Sequence, residues 1–195
     1  MSKYKLTNKS VAHWSGKTLF QIEATASFGS IFKGDLGGYI EKESNLSQDG
    51  HAWVSGNAWV SGDARVSGNA RVYGDARVYG NAWVYGNAWV SGDARVSGNA
   101  RVYGNAWVSG DARVSGDAWV YGDALVSGKL ELTLGYFFGM KYKSESIQEI
   151  EQGENKIICK GDVRVKKYDE PEVRSLSGQT VEVKVGDKTC KVIIQ

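Results

Sequence analysis

The sequence predicts an all-β protein whose middle is a parallel β-solenoid, and three observations carry that prediction. From His51 to Gly128 the chain repeats every six residues: Gly, Asn or Asp, Ala, Trp or Arg, Val, then Ser or Tyr. Thirteen alanines stand at six-residue steps from Ala52 to Ala124, each with a valine two positions on, and no insertion interrupts them. The composition is skewed the same way, with one proline against 25 glycines and seven tryptophans in 195 residues, a balance foreign to an ordinary globular enzyme.

Each element follows from the hexad. A small apolar residue, a large polar or aromatic one and a β-branched one in alternation give a strand with one buried face: Ala and Val inward, Trp or Arg and Ser or Tyr outward. Gly followed by Asn or Asp makes the corner, because glycine accepts unusual backbone angles and Asn and Asp are expected to follow it into a left-handed conformation. So short a strand cannot bury its inner face alone, and the corner is too tight for a crossover helix. Stacking coil on coil, about 4.8 Å apart, solves both problems. Thirteen repeats then make a little over four coils, a prism roughly 20 Å tall. Asn45–Gly50 reads as a degraded capping repeat with Leu46 in the alanine slot and Gln48 in the valine slot, and Lys129-Leu130-Glu131-Leu132 abandons the pattern.

The flanks read differently. Residues 3 to 28 form a hairpin, with Tyr4–Leu6 and Leu19–Ile22 as strands and Ser15-Gly16 near the turn. The glycine-rich, apolar segment Phe28 to Ile40 folds over the first coil. Beyond Gly128 the hexad vanishes, and a small β-rich (α+β) module follows, with one helix over 144–152. Its strands are expected at 156–159, 163–168, 181–185 and 190–194, with a hairpin turn at Val185–Lys188. The domain plan is an N-terminal hairpin and cap (1–44), the repeat solenoid (45–132) and the C-terminal module (133–195). Cys159 and Cys190 match no metal or redox spacing and are read as reduced thiols.

The stretch GDLGGYIEKESNLSQDGHAWVSGNAWVSGDARV resembles phage and prophage proteins that carry hexapeptide repeats behind an acidic, glycine-rich leader. The resemblance covers residues 17 to 128. It implies a left-handed parallel β-helix, a hexapeptide solenoid with triangular coils of three hexads each. It also implies association, since such solenoids commonly form homotrimers.

With three hexads per coil, residues eighteen apart stack, and the sequence becomes a map of three walls. Wall one carries Trp53, Arg71, Trp89, Trp107 and Leu125; wall two carries Trp59, Arg77, Arg95 and Arg113; wall three carries Arg65, Trp83, Arg101 and Trp119, beside Tyr85, Tyr103 and Tyr121. An exposed strip holding Trp53, Trp89 and Trp107 is more apolar surface than a soluble monomer leaves wet, and reads as a subunit interface. The competing reading is a solvent-facing ladder of indoles stacked on arginines by cation–π contact. Arg77, Arg95 and Arg113 suit phosphate or carboxylate, but each follows an aspartate (Asp75, Asp93, Asp111), so an internally neutralised ionic ladder is the plainer expectation. Arginine with tryptophan and tyrosine on wall three suits a nucleotide-like anion, through stacking and charge pairing.

Several function classes fit poorly. With 24 Lys and Arg against 22 Asp and Glu, the net charge of +2 disfavours general nucleic-acid or membrane binding. No long apolar run or secretory signal is seen, so a cytoplasmic protein is expected, in the host cell if the gene is phage-borne. The two histidines, His13 and His51, lie outside the uninterrupted coils, and no loop protrudes to shape a coenzyme pocket as in hexapeptide acyltransferases. His51 takes a corner slot otherwise held by Asn or Asp. No metal or cofactor is expected, since carboxylates in register with arginines are poor metal ligands. The reading is a non-catalytic binding protein of phage or prophage type, counter-defence in purpose, which masks a host protein or sequesters a small anionic ligand between subunits. An acyltransferase-like enzyme and a virion scaffold are the alternatives.

Overall fold

The structure, a computed structural model, describes residues 2–13 and 16–138 with their side chains, and beyond them the backbones of strands at 141–143, 149–153, 156–160, 164–165, 174–175, 180–185 and 188–194. It is a parallel β-solenoid of triangular section. The three walls are sheets, and in each the rungs come from residues eighteen apart: Trp53, Arg71, Trp89, Trp107 and Leu125 pair in series on wall one. Trp59, Arg77, Arg95 and Arg113 do so on wall two, and Arg65, Trp83, Arg101 and Trp119 on wall three. The map drawn from the hexad is therefore the map of the molecule.

The core is a column of the two small inward residues. Every alanine from Ala52 to Ala124 and every valine from Val54 to Val126 is fully buried, each valine contributing about 2 kcal/mol of apolar burial. The rungs are closed by backbone bonds from coil to coil: the Arg95 N–H donates to the Ala112 carbonyl at 2.8 Å and the Ser97 N–H to Val114 at 2.9 Å. At the corners glycine alone supplies the turn. Gly92 has φ 66°, and among the described residues no other residue type has a positive φ. Asn and Asp do not enter the left-handed region; they have a different task, described below.

Both ends depart from the eighteen-residue coil. Strand β1 (Tyr4–Ala12) and strand β2 (Thr18–Ala24) form the antiparallel hairpin, and Gly16, at φ 81°, sits in its turn. Strand β3 (Leu36–Ile40) pairs antiparallel with β2 and parallel with Trp59–Val60. Part of the glycine-rich leader is thus the first rung of wall two, while Phe28 and Ile31 pack over the core. Leu46 bridges to Val66, so it fills a valine slot and not an alanine slot. Two residues, Gln48 and Asp49, are extra in that coil. Gln48 points back to the hairpin, its Oε1 accepting from the Lys3 N–H at 2.7 Å.

At the other end the sequence pattern stops before the solenoid does. Leu130 and Leu132 are buried, and Glu131–Leu132 pairs with Arg113–Val114 as the next rung of wall two. Tyr136–Phe138 continues wall three and Lys141–Lys143 continues wall one. Leucine and phenylalanine replace alanine and valine there, so the fold persists where the hexad is unrecognisable. Farther on, Glu149–Gly153, Lys156–Lys160, Lys188–Ile194 and Thr180–Val185 make a four-stranded sheet in that order. The helix expected over 144–152 is corrected at its end: residues 149–152 are strand, paired with 157–160, and 144–148 lie outside the described residues. Val185 pairs with Lys188 as the hairpin requires. Cys159 stands opposite Ile194, four residues along its strand from Cys190.

Candidate functional site

Wall three is the most differentiated surface. Two columns run side by side along it. The first alternates charge and indole: Arg65 lies 5.7 Å from the Trp83 ring, and Arg101 lies between two rings, 5.5 Å from Trp83 and 4.5 Å from Trp119. The second is a stack of phenols, Tyr85 on Tyr103 at 4.8 Å and 3°, then Tyr103 on Tyr121 at 5.0 Å and 6°, with Phe138 below at 5.2 Å. Strand spacing sets this geometry, because parallel in-register rungs hold identical side chains face to face.

The chemical consequence changes the expectation drawn from residue type. The tyrosine faces are covered by one another, and the Arg101 guanidinium spends its faces on two indoles. What the wall offers outward is ring edges and guanidinium N–H groups, which meet acceptors, and phenol hydroxyls, which can donate as well as accept. Burial pushes the Tyr103 hydroxyl above its ordinary pKa, with the neighbouring hydroxyls of Tyr85 and Tyr121 adding to the effect and Arg101 opposing it. The tyrosine rings, stacked on one another, leave few free π-faces of their own for a base to stack on. At its N-terminal end, Ser44, Ser47, Arg65, Val66, Ser67 and Trp83 line a shallow depression of about 420 Å³.

Wall one holds a correction. Trp53 is only 3% exposed, because the chain's own N-terminal segment covers it: Phe28 sits edge-on at 5.5 Å and Tyr4 at 6.5 Å. It is core and takes no part in a surface. Trp89 and Trp107 are 41% and 39% exposed, packed edge to face at 5.7 Å, and Trp107 Nε1 donates to Ser91 Oγ at 3.1 Å.

Wall two stacks Arg77, Arg95 and Arg113 in register. The internally neutralised ladder is not what forms. Among the described residues the one ion pair on this column joins Arg113 to Glu131 at 2.7 Å, and Arg77 lies 5.4 Å from the Trp59 ring. The corner residues bond along the axis instead. Asn69 donates to Asn87 at 3.1 Å and Asn87 to Asn105 at 3.2 Å. Asn57 donates to Asp75, Asn99 to Asp117 and Asn105 to Asp123.

His51 heads one of these corner columns, exposed, its N–H bonded to the Gly68 carbonyl at 2.7 Å. His13 packs edge-on against Trp59 at 4.4 Å, and burial lowers its pKa. The two histidines thus belong to different parts of the molecule. Among the described residues no three His, Cys, Asp or Glu side chains converge as a metal ion would require, and no helix is long and apolar enough to cross a membrane.

Comparison with known proteins agrees with the architecture and goes no further. A family model, the YdcK β-solenoid repeat, matches residues 64–78, 76–92, 94–110 and 106–122. No curated protein matches the chain. The array from residue 64 to residue 122 is therefore similar to a β-solenoid repeat family.

Proposed function

We propose that this is a non-catalytic binding protein whose working surface is wall three. The observation that supports this reading is the clamped Arg101 beside the tyrosine stack: a flat face of oriented donors, fixed by the backbone, in contact with no described acceptor. Such a face suits a flat, acceptor-rich partner surface, and the partner class is a host protein masked by this one. In the proposal the protein is of phage or prophage type, counter-defence in purpose and cytoplasmic in the host. It is a homo-oligomer, trimeric in the favoured arrangement, joined through the exposed Trp89 and Trp107 of wall one.

A second reading has its own support. The depression beside Arg65 combines a guanidinium, three serine hydroxyls and an indole, a set that suits a small anionic, nucleotide-like ligand. Native mass spectrometry of untreated protein separates the two readings. A copurified small molecule lost in Arg65→Gln favours the second. For the first, Arg101→Gln and Tyr103→Phe abolish the protein's effect in a phage-challenge assay while the fold is kept. Full activity in both of those variants removes wall three from the proposal.

A further inference from the structure

We propose that wall two is a phosphate-binding ladder with Arg95 as its central ligand, a site separate from wall three. Parallel pairing puts Arg77, Arg95 and Arg113 directly above one another, about 4.8 Å apart. Like charges placed opposite each other across neighbouring strands destabilise a sheet, so each needs compensation. The outer two have it. Arg77 lies against Trp59, and Arg113 pairs with Glu131. Arg95, half-buried between two like charges, has no ion pair and no cation–π partner among the described residues.

The flanks of the column decide what fits and from which side. Asp75, Asp93 and Asp111 run along the preceding corner, and none forms an ion pair with a guanidinium among the described residues. An anion is repelled from that side. On the other side stand Tyr79, Ser97 and Ser115, the residues two positions on, whose hydroxyls add neutral donors. Two guanidinium groups one strand apart, with hydroxyls beside them, match a tetrahedral oxyanion that accepts from both rungs at once. Of the two positions that three arginines in register make, the one between Arg77 and Arg95 takes the anion, because the Glu131 carboxylate already bonded to Arg113 repels an anion from the other. The Trp59 ring is already engaged by His13, Tyr79 and Arg77, so the site selects the phosphates and not a stacked base.

The test is thermal unfolding of the full chain with inorganic pyrophosphate, against sodium chloride of matched ionic strength. Without pyrophosphate, Arg95→Gln melts at or above the wild-type temperature, because a charge between two like charges is gone. With millimolar pyrophosphate, the wild-type Tm climbs with the logarithm of ligand concentration, the Arg95→Gln Tm stays level, and the order reverses. Phosphorus NMR titration gives an apparent Kd at least tenfold weaker in Arg95→Gln, with Arg101→Gln on wall three binding as wild type does. The proposal is overturned if pyrophosphate does no more than matched chloride, if Arg95→Gln responds like the wild type, or if Arg101→Gln loses the response. Since wall three is read by a phage-challenge assay and wall two by the pyrophosphate response of Arg95→Gln, the failure of one is distinguishable from the failure of the other.

Discussion

Two residues at the N-terminal end show how costly it is to close a solenoid. The last carbonyls of an end coil have no rung above them and must find donors. Lys3 supplies one, its Nζ donating to the Ala52 carbonyl at 3.0 Å above the Phe28 ring; Tyr4 supplies another, its hydroxyl shared between the Leu46 and Glu43 carbonyls at 2.7 and 2.8 Å. Burial pushes Lys3 down from 10.5 to about 8, with Asp49 opposing the shift, and raises Tyr4 above its usual 10, with Glu43 adding to it. Between about 8 and 10.5 the unfolded chain holds the Lys3 proton more often than the folded one, so stability rises with pH across that window. Above 10 the folded protein keeps the Tyr4 proton that the unfolded chain releases, and stability falls again. Urea midpoints measured from pH 7 to 11 should therefore climb and then turn. In Lys3→Met the climb should flatten relative to the wild type while the fall remains. On wall two, Asp93 lies between Asp75 and Asp111 in a corner column where asparagine would bond to its neighbours. Asp93→Asn should stabilise by about 0.5 kcal/mol, read as a raised urea midpoint at unchanged slope.

At the scale of the hexad, the corner is the element that tolerates least. Gly92 combines a φ of 66° with a neighbour directly below: a Cβ there would stand 3.0 Å from the Gly110 nitrogen. Gly92→Ala should cost about 2 kcal/mol in backbone strain and something further in contact, since the atom it meets is backbone and cannot swing aside. Ser97→Ala, two residues beyond Arg95 and just past the end of its strand, should cost little, and the pair compared by chemical denaturation isolates the corner. This element was also the most legible part of the sequence. A period of six shows which residues face inward, and the three hexads per coil that the family resemblance implies then place Trp89 over Trp107 and Arg95 over Arg113, as the structure has them. Legibility ended where packing depends on chain far away in sequence. Trp53 has the same local context as Trp89, and only Phe28 and Tyr4, brought in by the hairpin, make one core and the other surface. The direction of the wall-three rings was equally hidden, because residue type tells what can stack and only the register tells that the faces are already used.

For the whole molecule, stacking of near-identical coils implies that stability is close to a sum of coil terms and interfaces between neighbours. Removing residues 87–104 takes out one full turn. Gly86 then meets Asn105, Arg71 stacks on Trp107, Trp83 on Trp119 and Tyr85 on Tyr121, and both end caps keep their own neighbours. That variant should stay folded, unfold cooperatively, and show a smaller dependence on urea because less surface is exposed on unfolding. Removing only residues 87–95 deletes half as much chain and should do more harm. It leaves Val96-Ser97-Gly98 where a hexad belongs, with no alanine to fill the core and no rung to meet the coil above. Circular dichroism and urea titration of the two deletions test the point directly: if the nine-residue deletion proves the more stable, coil register is not what holds this protein together.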